Sequence, residues 1–296
     1  MEDVKCKKLI ATFVDEKLML DGPKSLEIYI DDNISVKIEQ MGIRVITVTS
    51  KQEESFRNLY GILTKVERLL MLFDGQFIKL KDLSFEESVE GTSEHLKSYA
   101  YNIMKTRLNY YKSADFCNYS TDKLVDYETT ITPELYSKWQ VLLDELDISH
   151  QMFLYSVSDN KIPIDVKCAF LIELAEPMVE IVKIYTPFFK SLKPGEKGTS
   201  LKKCIKAVIS KFGRDIFSEE MSSHYNEFLQ ILVDSRVRIM HIKRKQQKVF
   251  LNGSESILYA KKMTLLYRKI LFEILDINEE VYKDRMERKI KDLSRK

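Results

Sequence analysis

Late in the sequence stand an arginine and a histidine, two residue types that can act together on a phosphate group. Arg236 and His241 are separated by four residues, and the chain of 296 residues contains only 4 histidines. A guanidinium binds phosphate through its charge and paired hydrogen bonds, and an imidazole transfers protons near neutral pH. The pair indicates phosphodiester chemistry on RNA, with Arg236 as the phosphate clamp and His241 as a general base or acid.

Further cations surround this pair and are candidates for binding the substrate. They are Arg238, Lys243, Arg244 and Lys245. Residues 1–150 hold 19 Lys and Arg against 26 Asp and Glu, a net charge of −7, whereas residues 151–296 hold 28 against 19, a net charge of +9. A polyanion such as RNA would therefore prefer the second half of the chain.

The helical repeat limits how one chain could use these residues. At about 100° per residue, Arg236 and His241 lie about 140° apart on an ideal helix, so a straight helix does not place both on one face. Arg238 and His241 do share a face, together with Asp234 and Lys245. That face could be a solvated charged surface with an Asp–Arg pair. Catalysis would instead require two motif helices that meet across a twofold axis.

The segments around the pair have a characteristic order. An apolar helical segment from Phe228 leads into Arg236, a loop with Asn252-Gly253 follows, and a long apolar helix extends from about Ser254 to Asp276. This arrangement resembles the HEPN superfamily and, within it, the ApeA-like HEPN proteins of prokaryotic defence systems. The resemblance covers roughly residues 165–280.

The resemblance implies a fold, an activity and partners. HEPN proteins are helical, form dimers and often cleave RNA without a metal, through an R-x4-6-H motif contributed by both protomers. In this chain that motif is Arg236 and His241. The resemblance therefore implies a metal-independent endoribonuclease without cofactors, a homodimer through the motif helix, and RNA as the substrate. It also implies a toxin or effector in abortive anti-phage defence, with a phage-derived or partner-protein trigger.

One position departs from the family pattern. The family often has Asn, Asp or His directly after the motif arginine, and this chain has Val237. A supporting polar contact is missing there, although the arginine and the histidine are present. The alternative is a non-catalytic HEPN-type dimer that binds RNA or protein within a defence system.

The two halves of the sequence indicate an α+β protein with two domains. Residues 1–128 form a small mixed α/β module with short antiparallel strands, a candidate sensor or positioning module, and residues 133–296 form an all-α HEPN helical bundle. Alternating apolar residues with turn signals between them predict strands. These strands are Lys8–Phe13, Ser25–Ile30, Ser35–Gln40, Ile43–Thr49 and Gln76–Leu80.

Helix boundaries follow from capping residues and proline. Ser50-Lys-Gln-Glu53 predicts a capping box, with a helix that extends to about Phe73 and ends at Asp74-Gly75. A long apolar helix from Ile164 to Tyr185 contains Pro177, which predicts a kink or the end of a turn.

Metal binding and membrane insertion both lack sequence support. Glu173, Glu176 and Glu180 have helical spacing, but no histidine lies nearby, and such glutamates commonly form the polar side of a helix. The four cysteines form no C-x-x-C pair. A charged leader with an apolar run and a stretch of about 18 apolar residues are both missing, which predicts a cytoplasmic protein that does not enter a membrane.

Overall fold

The computed structural model divides the chain into two compact units. The first unit comprises Met1–Leu142 with Ser158–Asn160, and the second comprises Leu143–Val157 with Lys161–Lys296. The residues that the structure describes are 5–14, 22–76, 79–86, 94, 98, 99, 102, 122–158, 162–185, 189, 200–241 and 248–294.

An antiparallel sheet of five strands lies in the described first unit, as the alternating apolar pattern predicts. Its strands are β1 Lys5–Val14, β2 Lys24–Tyr29, β3 Ile34–Gln40, β4 Arg44–Ser55 and β5 Lys79–Glu86. Their order is β2-β3-β4-β1-β5, and every neighbouring pair is antiparallel. Along β3, Ile34, Val36 and Ile38 are buried, so one face of the sheet supplies the core.

Helix α1, Phe56–Asp74, packs against β1 and β4, but it begins later than the sequence pattern predicts. β4 continues to Ser55 because its last residues pair with the start of β1. The cap is therefore Ser55, whose hydroxyl accepts from the Asn58 N–H at 3.3 Å, and the predicted capping box at Ser50 is wrong. The predicted end is confirmed, since Gly75 takes the left-handed conformation with φ 68°.

A buried arginine joins two parts of the first unit. The guanidinium of Arg44 is fully buried and donates to Asp74 Oδ2 at 2.6 Å and to Gln40 Oε1 at 2.9 Å. It also lies 5.3 Å from the centre of the Tyr127 ring. A buried charge needs such partners because its desolvation is costly, so this cluster fixes the end of α1 against the sheet.

The described second unit is helical, as predicted for the C-terminal part of the chain. The remaining helices, from the first unit into the second, are α2 Tyr127–Thr130, α3 Pro133–Leu146, α4 Ile148–Val157, α5 Ile164–Glu173, α6 Ala175–Tyr185, α7 Leu201–Phe212, α8 Ser218–Ser222, α9 Tyr225–Met240, α10 Gly253–Ile274, a short 3-10 helix Glu279–Val281, and α11 Lys283–Ser294. α5 contacts α4, α6, α9 and α10. Its buried residues, Cys168, Ala169, Leu171 and Ile172, make it the central element of the unit.

The predicted long helix from Ile164 to Tyr185 is interrupted three residues before its proline. α5 ends at Glu173 and α6 begins at Ala175. Pro177 has no N–H to donate to the Glu173 carbonyl, and its ring would clash with that carbonyl in a continuous helix. In the first turn of a new helix the missing N–H of Pro177 costs little, because N–H groups there have no carbonyl partner within the helix. The break places Glu173 at a helix end, where its side chain can turn toward α9.

Over the described residues, no helix combines the length and the apolar character that crossing a bilayer requires.

Candidate active site

The helix that carries the motif ends immediately before the histidine. His241 caps the C-terminus of α9, with φ −106° and ψ 5°. Its N–H still donates to the Val237 carbonyl at 3.1 Å, so the last helical turn is closed. Arg236 is half-buried and His241 is exposed. The imidazole therefore lies at the surface, where a substrate can reach it.

A single chain brings the two motif side chains into contact. Nη1 of Arg236 lies 3.1 Å from Nε2 of His241. The separation of about 140° on an ideal helix applies to the directions in which the two Cβ atoms point. The contact forms nevertheless, because the arginine side chain is long and because the helix ends at Met240, before the histidine. The second chain that the sequence analysis required is therefore not needed to bring these two groups together.

The contact determines which nitrogen of the histidine carries a proton. A guanidinium has only donors, so His241 Nε2 must accept from Arg236. The imidazole that fits this hydrogen bond is neutral and has its proton on Nδ1. A neutral imidazole with a lone pair at Nε2 is the form that can remove a proton from a hydroxyl.

Glu173, at the end of α5, holds the arginine in place. Its Oε2 accepts from Arg236 Nε and its Oε1 accepts from Arg236 Nη2. The side chains of Arg236 and Glu173 are only 16% and 23% exposed. A bidentate pair of this kind fixes both the position and the plane of the guanidinium, and it leaves Nη1 to face His241.

A second carboxylate lies in the same region. Burial raises the pKa of Glu176, the nearby Glu173 carboxylate raises it further, and Arg236 opposes the rise. The helical spacing of Glu173, Glu176 and Glu180 made these residues candidate metal ligands in the sequence. Over the described residues, no group of three His, Cys, Asp or Glu side chains is placed to hold a metal ion. The role that the structure gives Glu173 is to orient Arg236.

The segment that precedes α10 is fixed against the motif helix by three contacts. The Leu251 N–H donates to the buried Ser235 hydroxyl at 2.9 Å. Lys248 Nζ lies 2.8 Å from Asp234 Oδ1. The Arg238 guanidinium lies 4.9 Å from the centre of the Phe250 ring. Asp234 thus pairs with Lys248, and Arg238 contacts Phe250. These contacts take the place of the Asp–Arg pair that the sequence suggested for a solvated face.

A pocket opens between α5, α9 and the start of α10. Its volume is about 180 Å³, and both Arg236 and Arg238 line it. Cys168 also lines this pocket, but burial, with a smaller effect of the Asp165 carboxylate, raises the pKa of its thiol to about 12. The thiol stays protonated at neutral pH and is a poor nucleophile. Among the described residues, the groups suited to chemistry are the Arg236 guanidinium, which lines the pocket, and the His241 imidazole, which contacts that guanidinium.

The structure brings together some of the predicted site residues. Arg236 and His241 are in contact, and Arg238 lines the same pocket as Arg236. The other predicted substrate-binding residues, Lys243, Arg244 and Lys245, lie outside the described residues. The sequence analysis missed the role of Glu173. The sequence does offer one indication of this role. Glu173 stands four residues before Pro177, which is where that proline ends the helix.

Comparison with known families identifies one region of the chain. Residues 176–281 match the family model described as Apea-like HEPN. The matched range contains Arg236 and His241, whereas Glu173 and all of α5 precede it. No curated protein and no solved structure matches the chain.

The contact between Arg236 and His241 predicts the tautomer of the imidazole. At pH 8, we expect the neutral His241 side chain to carry its proton on Nδ1, because Nε2 accepts from Arg236. Arg236→Met should shift the ring toward the Nε2–H form, while Arg238→Met, which removes the same charge, should not. Long-range ¹H–¹⁵N NMR of the histidine rings measures this. An unchanged tautomer in Arg236→Met would contradict the contact.

The environment of Glu176 predicts a pH-dependent gain in stability from Glu176→Gln. Because the folded state raises the pKa of Glu176 above its ordinary 4.5, the wild type loses stability as the pH rises from 4.5 through the folded value. The glutamine variant avoids that loss. Its thermal midpoint should exceed that of the wild type at pH 7.5, and the difference should shrink toward pH 4. Glu227→Gln, exposed in the first turn of α9, is the control, and an equal gain in both variants would refute the explanation.

Proposed function

Given that the chain contains an ApeA-like HEPN domain at residues 176–281, we propose that it is a metal-independent endoribonuclease. HEPN domains are generally ribonucleases. The observation that carries the proposal is the 3.1 Å contact between Arg236 Nη1 and His241 Nε2 at the surface end of α9. Together, a guanidinium and an imidazole supply charge neutralisation and proton transfer, the two functions that RNA cleavage requires.

The reaction uses the 2′-hydroxyl of RNA as the nucleophile. The Arg236 N–H turns from His241 Nε2 to a phosphate oxygen, the freed Nε2 lone pair removes the hydroxyl proton, and the 2′-oxygen forms a bond to phosphorus. Arg236 neutralises the charge that builds on the phosphate oxygens. The bond between phosphorus and the 5′-oxygen then breaks, and an imidazolium returns a proton to that oxygen. The products are a 2′,3′-cyclic phosphate and a 5′-hydroxyl. DNA lacks the 2′-hydroxyl and is not cleaved.

A homodimer through α9 would complete this centre. Attack and departure occur on opposite sides of the phosphorus, so one imidazole is poorly placed to serve both oxygens. A second copy of the chain would supply another Arg236–His241 pair on the other side. Exposed apolar side chains on the flanking segments support such an interface, namely Met240 at 38%, Val249 at 70% and Ile257 at 46% exposure.

The biological role that we propose follows from the family. A cytoplasmic ribonuclease of this kind would act as a toxin or effector in abortive anti-phage defence, and a phage-derived or partner-protein signal would release its activity. The sheet-containing N-terminal module would serve as a sensor or as a positioning element. Val237, where the family often has a polar residue, favours a second candidate, a non-catalytic dimer that binds RNA or protein.

Replacement of the histidine tests the ribonuclease. With labelled single-stranded RNA and excess chelator, we expect His241→Asn to cleave about 10²- to 10⁴-fold more slowly than the wild type, the usual effect of losing a positioned acid–base group. His224→Asn is the matched control, because His224 is exposed at the opposite end of α9. A substrate with 2′-deoxyribose throughout should resist both proteins.

Two outcomes would overturn this proposal. Full cleavage by His241→Asn would remove the histidine from the mechanism. RNA binding without cleavage by the wild type, across the chelated and metal-supplemented samples, would favour the non-catalytic dimer.

Mixed dimers test whether two chains share one centre. Wild-type and His241→Asn chains with different tags are coexpressed, and tandem affinity purification isolates the dimer that contains one of each. If both imidazoles serve one phosphate, this dimer should be almost as slow as the variant homodimer. A mixed dimer that keeps the activity of its one intact chain would indicate independent centres. Failure to recover any mixed species would argue against the homodimer.

A further inference from the structure

We propose that the pocket beside Arg236 holds a guanine base of the substrate, so that the chain selects RNA with guanine next to the scissile phosphate. This inference rests on the proposed ribonuclease function and specifies its substrate. It is carried by the pocket's size, by two planar groups in its lining, and by the single carboxylate among the described residues that line it.

The size of the pocket limits its occupant. A volume of about 180 Å³ is smaller than the roughly 300–1,000 Å³ of pockets that enclose a drug-sized ligand. A single planar base is the part of a nucleotide whose size best matches such a pocket. Ala169 and Ile172 of α5, Ile239 of α9 and Leu251 supply apolar surface to the lining, which suits the faces of a base.

Arg236 connects this pocket to the proposed chemistry. The same guanidinium that contacts His241 also lines the pocket. A phosphate held by Arg236 would therefore lie beside the pocket, and the base of an adjoining nucleotide would be the group within its reach. A base in the pocket would therefore belong to a nucleotide next to the scissile phosphate.

Two residues that line the pocket, Arg238 and Phe250, have planar groups that could stack on a base. The Arg238 guanidinium lies 4.9 Å from the centre of the Phe250 ring. Leu251, the residue after Phe250, is fixed against the motif helix because its N–H donates to Ser235 Oγ at 2.9 Å. Aromatic rings and guanidinium planes stack on nucleobases of every type, so these groups would bind a base without selecting which one.

The selection comes from Asp165 in the first turn of α5. Asp165 lines the pocket and is exposed to solvent. A carboxylate offers two acceptor oxygens and no donor. Guanine presents two adjacent donors, N1–H and N2–H, on its Watson–Crick edge. Adenine, cytosine and uracil each place an acceptor next to a donor on that edge, and this acceptor would repel the carboxylate.

Binding of mononucleotides tests the pocket without requiring cleavage. Isothermal titration calorimetry of the full chain with guanosine, adenosine, cytidine and uridine 3′-monophosphates should show guanosine bound at least about 10-fold more tightly, the usual discrimination of one bidentate contact. Asp165→Asn should remove the preference. Asp284→Asn, an exposed aspartate in the first turn of α11, should keep it.

The outcomes separate this inference from the proposed function. Equal binding of the four nucleotides by the wild type, or an unchanged guanosine preference in Asp165→Asn with an unaltered thermal midpoint, would overturn the guanine pocket. A guanosine preference that Asp165→Asn abolishes would support the pocket even if the wild type cleaves no RNA, and only the ribonuclease would then fail. Where cleavage occurs, sequencing of the product ends should locate guanine beside the cut for the wild type alone.

Discussion

The bidentate ion pair between Glu173 and Arg236 is the interaction on which the candidate site depends. Two nitrogens of the guanidinium are taken by the carboxylate, and the third faces His241. If the carboxylate were removed, the arginine could rotate and the imidazole would lose the donor that selects its tautomer. Orientation at the site is therefore determined by α5 as much as by the helix that carries the motif.

The backbone explains why α5 can provide this carboxylate. Pro177 prevents one continuous helix, so α5 ends at Glu173 beside α9. The buried residues of α5 hold it against α9 and α10. Ser235 then fixes the segment before α10, which carries Phe250, onto the motif helix. The pocket is thus framed by the same few contacts that orient Arg236.

Periodicity and turn residues were enough to predict the antiparallel sheet, the helical second half and the end of α1 at Gly75. The start of α1 was not predictable in this way, because the polar residues after Ser50 resemble a cap until their pairing with β1 is known. The motif could be found from two residue types at a fixed spacing. The role of Glu173 could not, because it depends on a contact between residues 63 positions apart, and the reach of Arg236 to His241 depends on where α9 ends.

In the proposed ribonuclease reaction, the charge of Glu173 would have a consequence for turnover. It offsets the charge of Arg236, so the guanidinium attracts an intact, singly charged phosphodiester only weakly in the ground state. Its free N–H groups nevertheless stay aimed at oxygens that become more negative as the new bond forms. Interactions that strengthen only on the way to the transition state accelerate a reaction, whereas equal attraction to both states does not. In that reaction, the pair would therefore favour fast release of cut ends over tight retention of uncut strands.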